Sequence, residues 1–271
     1  MTVGIGLLTV SDAVTKHLTA DYPVGQVICL RQVAALCFML PYAWMVTGIG
    51  ALKPVDVRGQ LLRGFLFLAG ATFLVISLRL LPLSYVTVVL FSSPLFVALV
   101  SAPVLGERVH RHQWIAITVG FVGVLLIVRP GSRAVEWAAA VPVVAALSNA
   151  LRDTFTRRLS RTDTSISILF WSGVIVSVAG LFTLPLGWKP IGLDGAMWFV
   201  AAGLANAAAQ FLVIEAFRLG AAALVAPFRY SGLLWAMLIG FAVWGEVPDV
   251  WMLAGGAIVV CAGLYMLRLT R

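Results

Sequence analysis

Ten apolar stretches, each close to the length a lipid bilayer demands, occupy most of this 271-residue chain, and the last five repeat the first five. A spanning helix needs roughly 20 mostly apolar residues. The stretches fall at about 3–19, 23–47, 61–80, 84–104, 112–129, 135–158, 164–186, 195–217, 221–244 and 249–268. Helix-stopping residues punctuate them: Asp21-Tyr22-Pro23, Lys53-Pro54, Leu81-Pro82, Arg129-Pro130-Gly131, Lys189-Pro190 and Val247-Pro248. Charged residues make up only 11% of the chain, against about 25% in a soluble domain. The chain cannot dress a water-facing surface, and its short connections leave no room for a soluble domain. The expected fold is an all-α membrane protein with ten transmembrane helices.

The repeat reads at an offset of 139 residues: Gly106-Glu107 falls on Gly245-Glu246, Arg79-Leu80 on Arg218-Leu219, and Ser92 on Ser231. TFLVISLRL (72–80) is similar to QFLVIEAFRL (210–219) with one residue inserted, and Ser11-Asp12-Ala13 to Ser148-Asn149-Ala150. Residues 1–131 and 132–271 are therefore expected to be two five-helix repeats. An odd number of spans per repeat makes the second enter the membrane from the opposite side. Inverted repeats around a midplane site are the usual build of secondary transporters. With the N-terminus inside, twelve Lys and Arg residues lie on the inner side and five on the outer, leaving Arg31 and Arg229 within spans. The positive-inside rule thus places both termini in the cytoplasm, in an inner (plasma) membrane.

Several classes find no support. The net charge of +8 comes from basic residues at helix ends, which argues against nucleic acid. Cys29, Cys37 and Cys261 lie in apolar spans without metal-type spacing and read as small buried hydrophobes. No cofactor or metal is expected. The first stretch carries Asp12 and Lys16 and lacks a basic leader and a cleavage site, so it reads as a first helix and not a signal peptide. There is no GxxxxGK[ST], HExxH or GxSxG pattern.

The Ser-Asp-Ala-x-x-Lys pattern from Ser11 to Lys16, Arg31 in the second span, and Pro94 resemble the drug/metabolite transporter superfamily, in its EamA-type branch. So do the Gly-Glu pairs, Gly120, Gly123 and Leu126 in the fifth span, and Ala226-Pro227. The resemblance covers essentially the whole chain. It implies a ten-helix basket around a central cavity, lined chiefly by helices 1, 3, 4, 6, 8 and 9, that moves small metabolites by alternating access. Known members export amino acids or take up riboflavin or S-adenosylmethionine. One departure is Arg229, where family members carry an acidic residue.

An ionised side chain deep in a spanning helix costs at least about 2.5–3.5 kcal/mol on insertion scales, so such residues face a partner or a wet cavity. Asp12 and Lys16 share one face at i,i+4 spacing, either as a mutual ion pair or lining a cavity. Arg31 has a planar fork suited to a carboxylate, whether that of Asp12 or of a substrate. Arg229 lies near the midplane with Tyr230 beside it and Trp235 further along, a cation with aromatic neighbours. Asn206 and Gln210, one turn apart, offer amide groups, as does Asn149 at the repeat position of Asp12. Tyr85 opens the fourth span as a gate or interface residue. Glu107 and Glu246 read as capping and loop residues, and Glu215 as a partner of Arg218.

Asp12, Lys16, Arg31 and Arg229 together sum to +2, which favours zwitterionic or anionic cargo such as amino acids. The reading is a secondary transporter whose partners are a small-molecule substrate and the bilayer, with a coupling ion and a monomeric or homodimeric state left open. The alternatives are a multidrug or organic-cation carrier using Asp12 and Glu215, a vitamin or cofactor carrier, and a membrane enzyme or scaffold.

Overall fold

The computed structural model describes residues 1–93, 95–97, 99–100, 111–128, 136–159, 162–219 and 231–269. Among them are ten α-helices and no strand: α1 (Thr2–Asp21), α2 (Val24–Tyr42), α3 (Val57–Leu80), α4 (Leu83–Leu90), α5 (Arg111–Val128), α6 (Glu136–Leu159), α7 (Ser165–Leu181), α8 (Leu193–Leu219), α9 (Ser231–Trp244) and α10 (Val250–Leu269). By length and composition, Val24–Val46, Val57–Leu80 and Leu193–Val213 can cross a bilayer outright, and several shorter helices are equally apolar. Large apolar side chains such as Leu125, Leu204, Phe241 and Leu238 point outward. That is the dressing of a surface solvated by lipid.

Three spans differ from their sequence expectation; the seventh ends as an α-helix at Leu181, and a 3-10 turn, Leu184–Leu186, follows it. The second does not run as one α-helix to residue 47: it passes at Ala43 into a π-helical turn, Ala43–Thr47, and then a 3-10 turn, Ile49–Leu52. Pro41 lies inside the last turn of α2; with no N–H to donate, it breaks the ladder where the helix changes type. The fourth span is interrupted at Phe91-Ser92 before helical residues resume at 93. There Ser92 turns both its N–H and its hydroxyl onto the Val89 carbonyl, at 3.0 and 2.6 Å. Pro94, outside the described residues, has no N–H to offer a continuous helix.

The helices pack in a definite pattern. α1 lies chiefly against α8, α9 and α3; α2 against α7 and α8; α3 against α6 and α7; α4 against α9 and α6; and α5 against α10. Glycines set the closest approaches. A Cβ on Gly203 would stand 2.4 Å from Ala34 Cβ and 2.9 Å from the Arg31 carbonyl, so α8 touches the backbone of α2. Gly123 and Gly255 do the same for α5 and α10, each within 3 Å of the other's carbonyl by that measure. Small residues at crossings are how membrane helices gain dispersion contact where lipid removes the hydrophobic drive.

The α2–α7 seam is fastened at both ends. At one end the Gln26 amide and the Lys189 backbone exchange hydrogen bonds, with Gln26 donating to the Lys189 carbonyl (2.8 Å) and the Lys189 N–H donating back (3.0 Å). At the other, the buried Asp163 carboxylate accepts from the Val55 and Asp56 N–H groups (2.9 and 3.1 Å), Gln60 (2.9 Å) and Thr162 (2.9 Å). Leu52 there accepts from the Trp171 indole at 2.9 Å. Between them Cys29 donates to the Ser177 carbonyl at 3.2 Å, where Gly180 lets α7 close on α2. Asp163, in the loop before α7, feels burial that raises its carboxyl pKa, yet its hydrogen-bond donors outweigh this and hold the pKa below the ordinary carboxylate value.

Candidate functional site

A polar layer sits halfway along α1, where it meets α2 and α8. Ser11 donates to the Ala202 carbonyl of α8 at 2.9 Å, and Gly4 meets Ala209 one level below, so α1 and α8 run antiparallel. Asp12 follows Ser11, and its carboxylate stands 3.6 Å from the Arg31 guanidinium, which donates to the Thr15 hydroxyl at 3.0 Å. The 3.6 Å gap is an ion pair but too long for a direct hydrogen bond. The Arg31 side chain is 6% exposed and that of Asp12 19%, so the arginine is the sealed partner and the carboxylate the accessible one. The Arg31 Nε–H has no hydrogen-bond partner among the described residues. Asn206, one turn beyond Ala202 on α8, is buried, and Gln210 a turn further is half-buried.

Lys16 does not pair with Asp12. Its ammonium lies against one carboxylate oxygen of Glu246, just beyond α9, and 4.7 Å from the centre of the Trp244 ring. The other Glu246 oxygen accepts the Leu83 N–H at 2.9 Å, satisfying an amide at the start of α4 that has no partner within its own helix. Gly245, at φ +65, closes α9 by donating to Phe241 at 2.9 Å and turns the chain so that Glu246 folds back over Gly240. The sequence reading of Glu246 as a capping and loop residue matches this geometry, but its pairing with Lys16 was not foreseen.

The other candidates spread out. Trp235 lays its ring on α1 at Gly6, about two turns from Asp12. Asn149 on α6 faces Gly70 of α3, and Tyr85 packs at the junction of α3, α4 and α10. Arg229, Tyr230 and Glu107 lie outside the described residues, as do the side chains of Glu215 and Arg218. The sequence profile of the EamA-like transporter family matches residues 6–129 and again 136–269.

The chain belongs to the EamA-like transporter family. Its relatives include an S-adenosylmethionine uptake transporter of Rickettsia felis, 28% identical over 95% of this chain and 87% of that protein. A riboflavin transporter of Rhizobium johnstonii is 29% identical over 95% of this chain and 86% of its own length. The pseudopaline exporter CntI of Pseudomonas aeruginosa is 30% identical over 96% and 92%. A crystal structure shares the fold at a TM-score of 0.69 and 18% identity, covering 99% of this chain and 96% of that one. The protein is thus an integral membrane transporter of the drug/metabolite superfamily and not an enzyme.

Arg63 and Arg152, two of the twelve basic residues that the charge count assigns to the inner side, are both built into the helix packing of this EamA-like transporter. Arg63, 7% exposed, donates from Nε to Thr156 at 2.7 Å and from a terminal nitrogen to the Ile168 carbonyl at 3.2 Å and to the Ser172 hydroxyl. It ties α3 to α6 and α7. Arg152 forks onto Asp153 at 2.8 and 3.0 Å and stands 5.5 Å from the centre of the Phe67 ring. The apolar stretch from 61 gave no signal of this, because Arg63 lies at its start; only the helix start at Val57 puts it inside the element.

Proposed function

We propose that this transporter is a secondary carrier that moves a small zwitterionic or amino acid-like metabolite by alternating access. The carrying observation is the loose Asp12–Arg31 pair halfway along α1, a carboxylate 3.6 Å from a guanidinium whose Nε–H has no partner among the described residues. A zwitterion can engage both without leaving a buried charge unpaired, which is the costly alternative. Glu246 neutralises Lys16 and Asp12 faces Arg31, so the charges of these described side chains balance. Asn206 and Gln210 of α8 supply amides one and two turns along from the layer, with Tyr85, Asn149, Tyr230 and Trp235 completing the candidate set. The relatives named for S-adenosylmethionine and riboflavin support a second reading, a cofactor-type cargo at the same layer.

Two inverted halves in an inner membrane, both termini cytoplasmic, fit this reading. Numbering each half's helices one to five, the contacts come as exchanged partners: α1 on α8 answers α6 on α3, and α2 on α8 answers α7 on α3. The pairs α2–α7, α4–α9 and α5–α10 each join counterparts. The family profile fits each half separately.

A thermal-shift screen of purified protein against amino acids, organic cations and cofactors tests the cargo. Hits are then followed by radiolabelled uptake into proteoliposomes. The expected result is stabilisation by zwitterions, lost in Asp12→Asn. Stabilisation by organic cations alone rejects the zwitterion assignment.

A further inference from the structure

We infer that the Lys16–Glu246 pair is the latch that closes one end of the transport path, and that Lys16 works there rather than as a substrate ligand. This rests on the alternating-access reading above. Four helices meet at the pair. Lys16 comes from α1, Glu246 follows α9 and precedes α10, and the second Glu246 oxygen holds the Leu83 amide that begins α4. Lys16 is one turn, about 6 Å, beyond Asp12, so the pair lies directly over the polar layer. A solute reaching Asp12 from the end where α1 and α9 terminate has to part these two side chains.

The contrast with the α2–α7 seam identifies which contact yields. The seam is stitched at several depths by backbone carbonyls and amides, a reciprocal Gln26–Lys189 exchange and a fully engaged Asp163. At the latch end the Lys16–Glu246–Leu83 node sits on apolar packing by Leu81, Leu83, Ala236 and Trp244, and the two charged side chains are 15% and 12% exposed, within reach of water. An ion pair in that setting can trade its partner for hydration, which a buried stitch engaged by several hydrogen bonds at once cannot. Trp244 beneath the ammonium gives Lys16 a resting place while the carboxylate is elsewhere. Gly240 keeps the space into which Glu246 folds; a Cβ there would meet its carboxylate at 2.8 Å.

The test reads distances and needs no substrate. In a Cys37→Ser, Cys261→Ser background, spin labels at Ala20→Cys and Val247→Cys, both exposed, report the latch end in proteoliposomes. Labels at exposed Val55→Cys and Ser165→Cys report the seam. Glu246→Gln keeps an acceptor for Leu83 and Lys16→Met keeps the stem, so each removes the charge with little change of shape. Each variant is expected to raise the ratio of long to short distances at the latch end about fivefold, with the seam distances unchanged. Unaltered latch-end distances overturn the inference. So does equal broadening at the seam, which would make the pair a general fastener of the fold. Flux is not the readout, so a missing flux counts against the carrier reading and leaves the latch to be judged by distance.

Discussion

Arg31 is 5% exposed, and a guanidinium so enclosed is tolerated only while Asp12 and Thr15 stand opposite it. Removing one member of a buried pair strands the other. Arg31→Gln is therefore expected to cost about 3 kcal/mol, read as a lowered melting temperature in detergent. Asp12→Asn combined with Arg31→Gln should recover part of that loss, because no charge is left alone. At Arg229, Arg229→Ala is expected to abolish transport of carboxylate substrates while leaving folded protein in the membrane, checked by uptake and size-exclusion profile. The sequence made Asp12 and Arg31 legible because unpaired charge is rare at membrane depth, and the carboxylate affinity of Arg31 named Asp12 as a partner. Lys16 was legible as a charge but not in its pairing. Its spacing pointed to Asp12, whereas its partner lies 230 residues away, across the two halves.

Helix ends followed their punctuation more closely than helix interiors did. Asp56 and Thr164 cap α3 and α7 by accepting the Gly59 and Ser167 amides at 2.9 and 3.2 Å, ordinary N-cap chemistry. The breaks at Pro41 and Phe91-Ser92 were hidden because hydropathy does not register a change of helix type. The Asp163 stitch carries a pH signature. A carboxyl whose folded pKa lies below its unfolded value stabilises fully above the ordinary range and loses that contribution as acidification passes its folded value. Hydrogen exchange at the Val55 and Asp56 amides, corrected for intrinsic rates, should stay slow above about pH 5 and accelerate below about 3.9. In Asp163→Asn this dependence should flatten. At the α2–α8 crossing Gly203→Val is expected to destabilise by about 1–3 kcal/mol, since neither Ala34 nor the Arg31 carbonyl has room to retreat. A thermal-unfolding series in detergent checks it.

Across the whole molecule, the ten helices among the described residues and the membrane class were readable from apolar length, because a bilayer favours apolar helices of similar length. Partner choice was not readable, since lipid-facing and helix-facing apolar residues share a composition. The expected orientation has its own check: Val247→Cys should react with an impermeant maleimide in intact cells, and Lys53→Cys only after permeabilisation. The exchanged packing has a consequence for how the chain assembles. α3 rests chiefly on α6 and α7, and α8 on α1 and α2, so each half's third helix finds most of its packing in the other half. Produced as two separate polypeptides divided between 128 and 136, each fragment should be cleared by quality-control proteolysis when alone and persist when both are co-expressed, since each completes the other's unfinished surface.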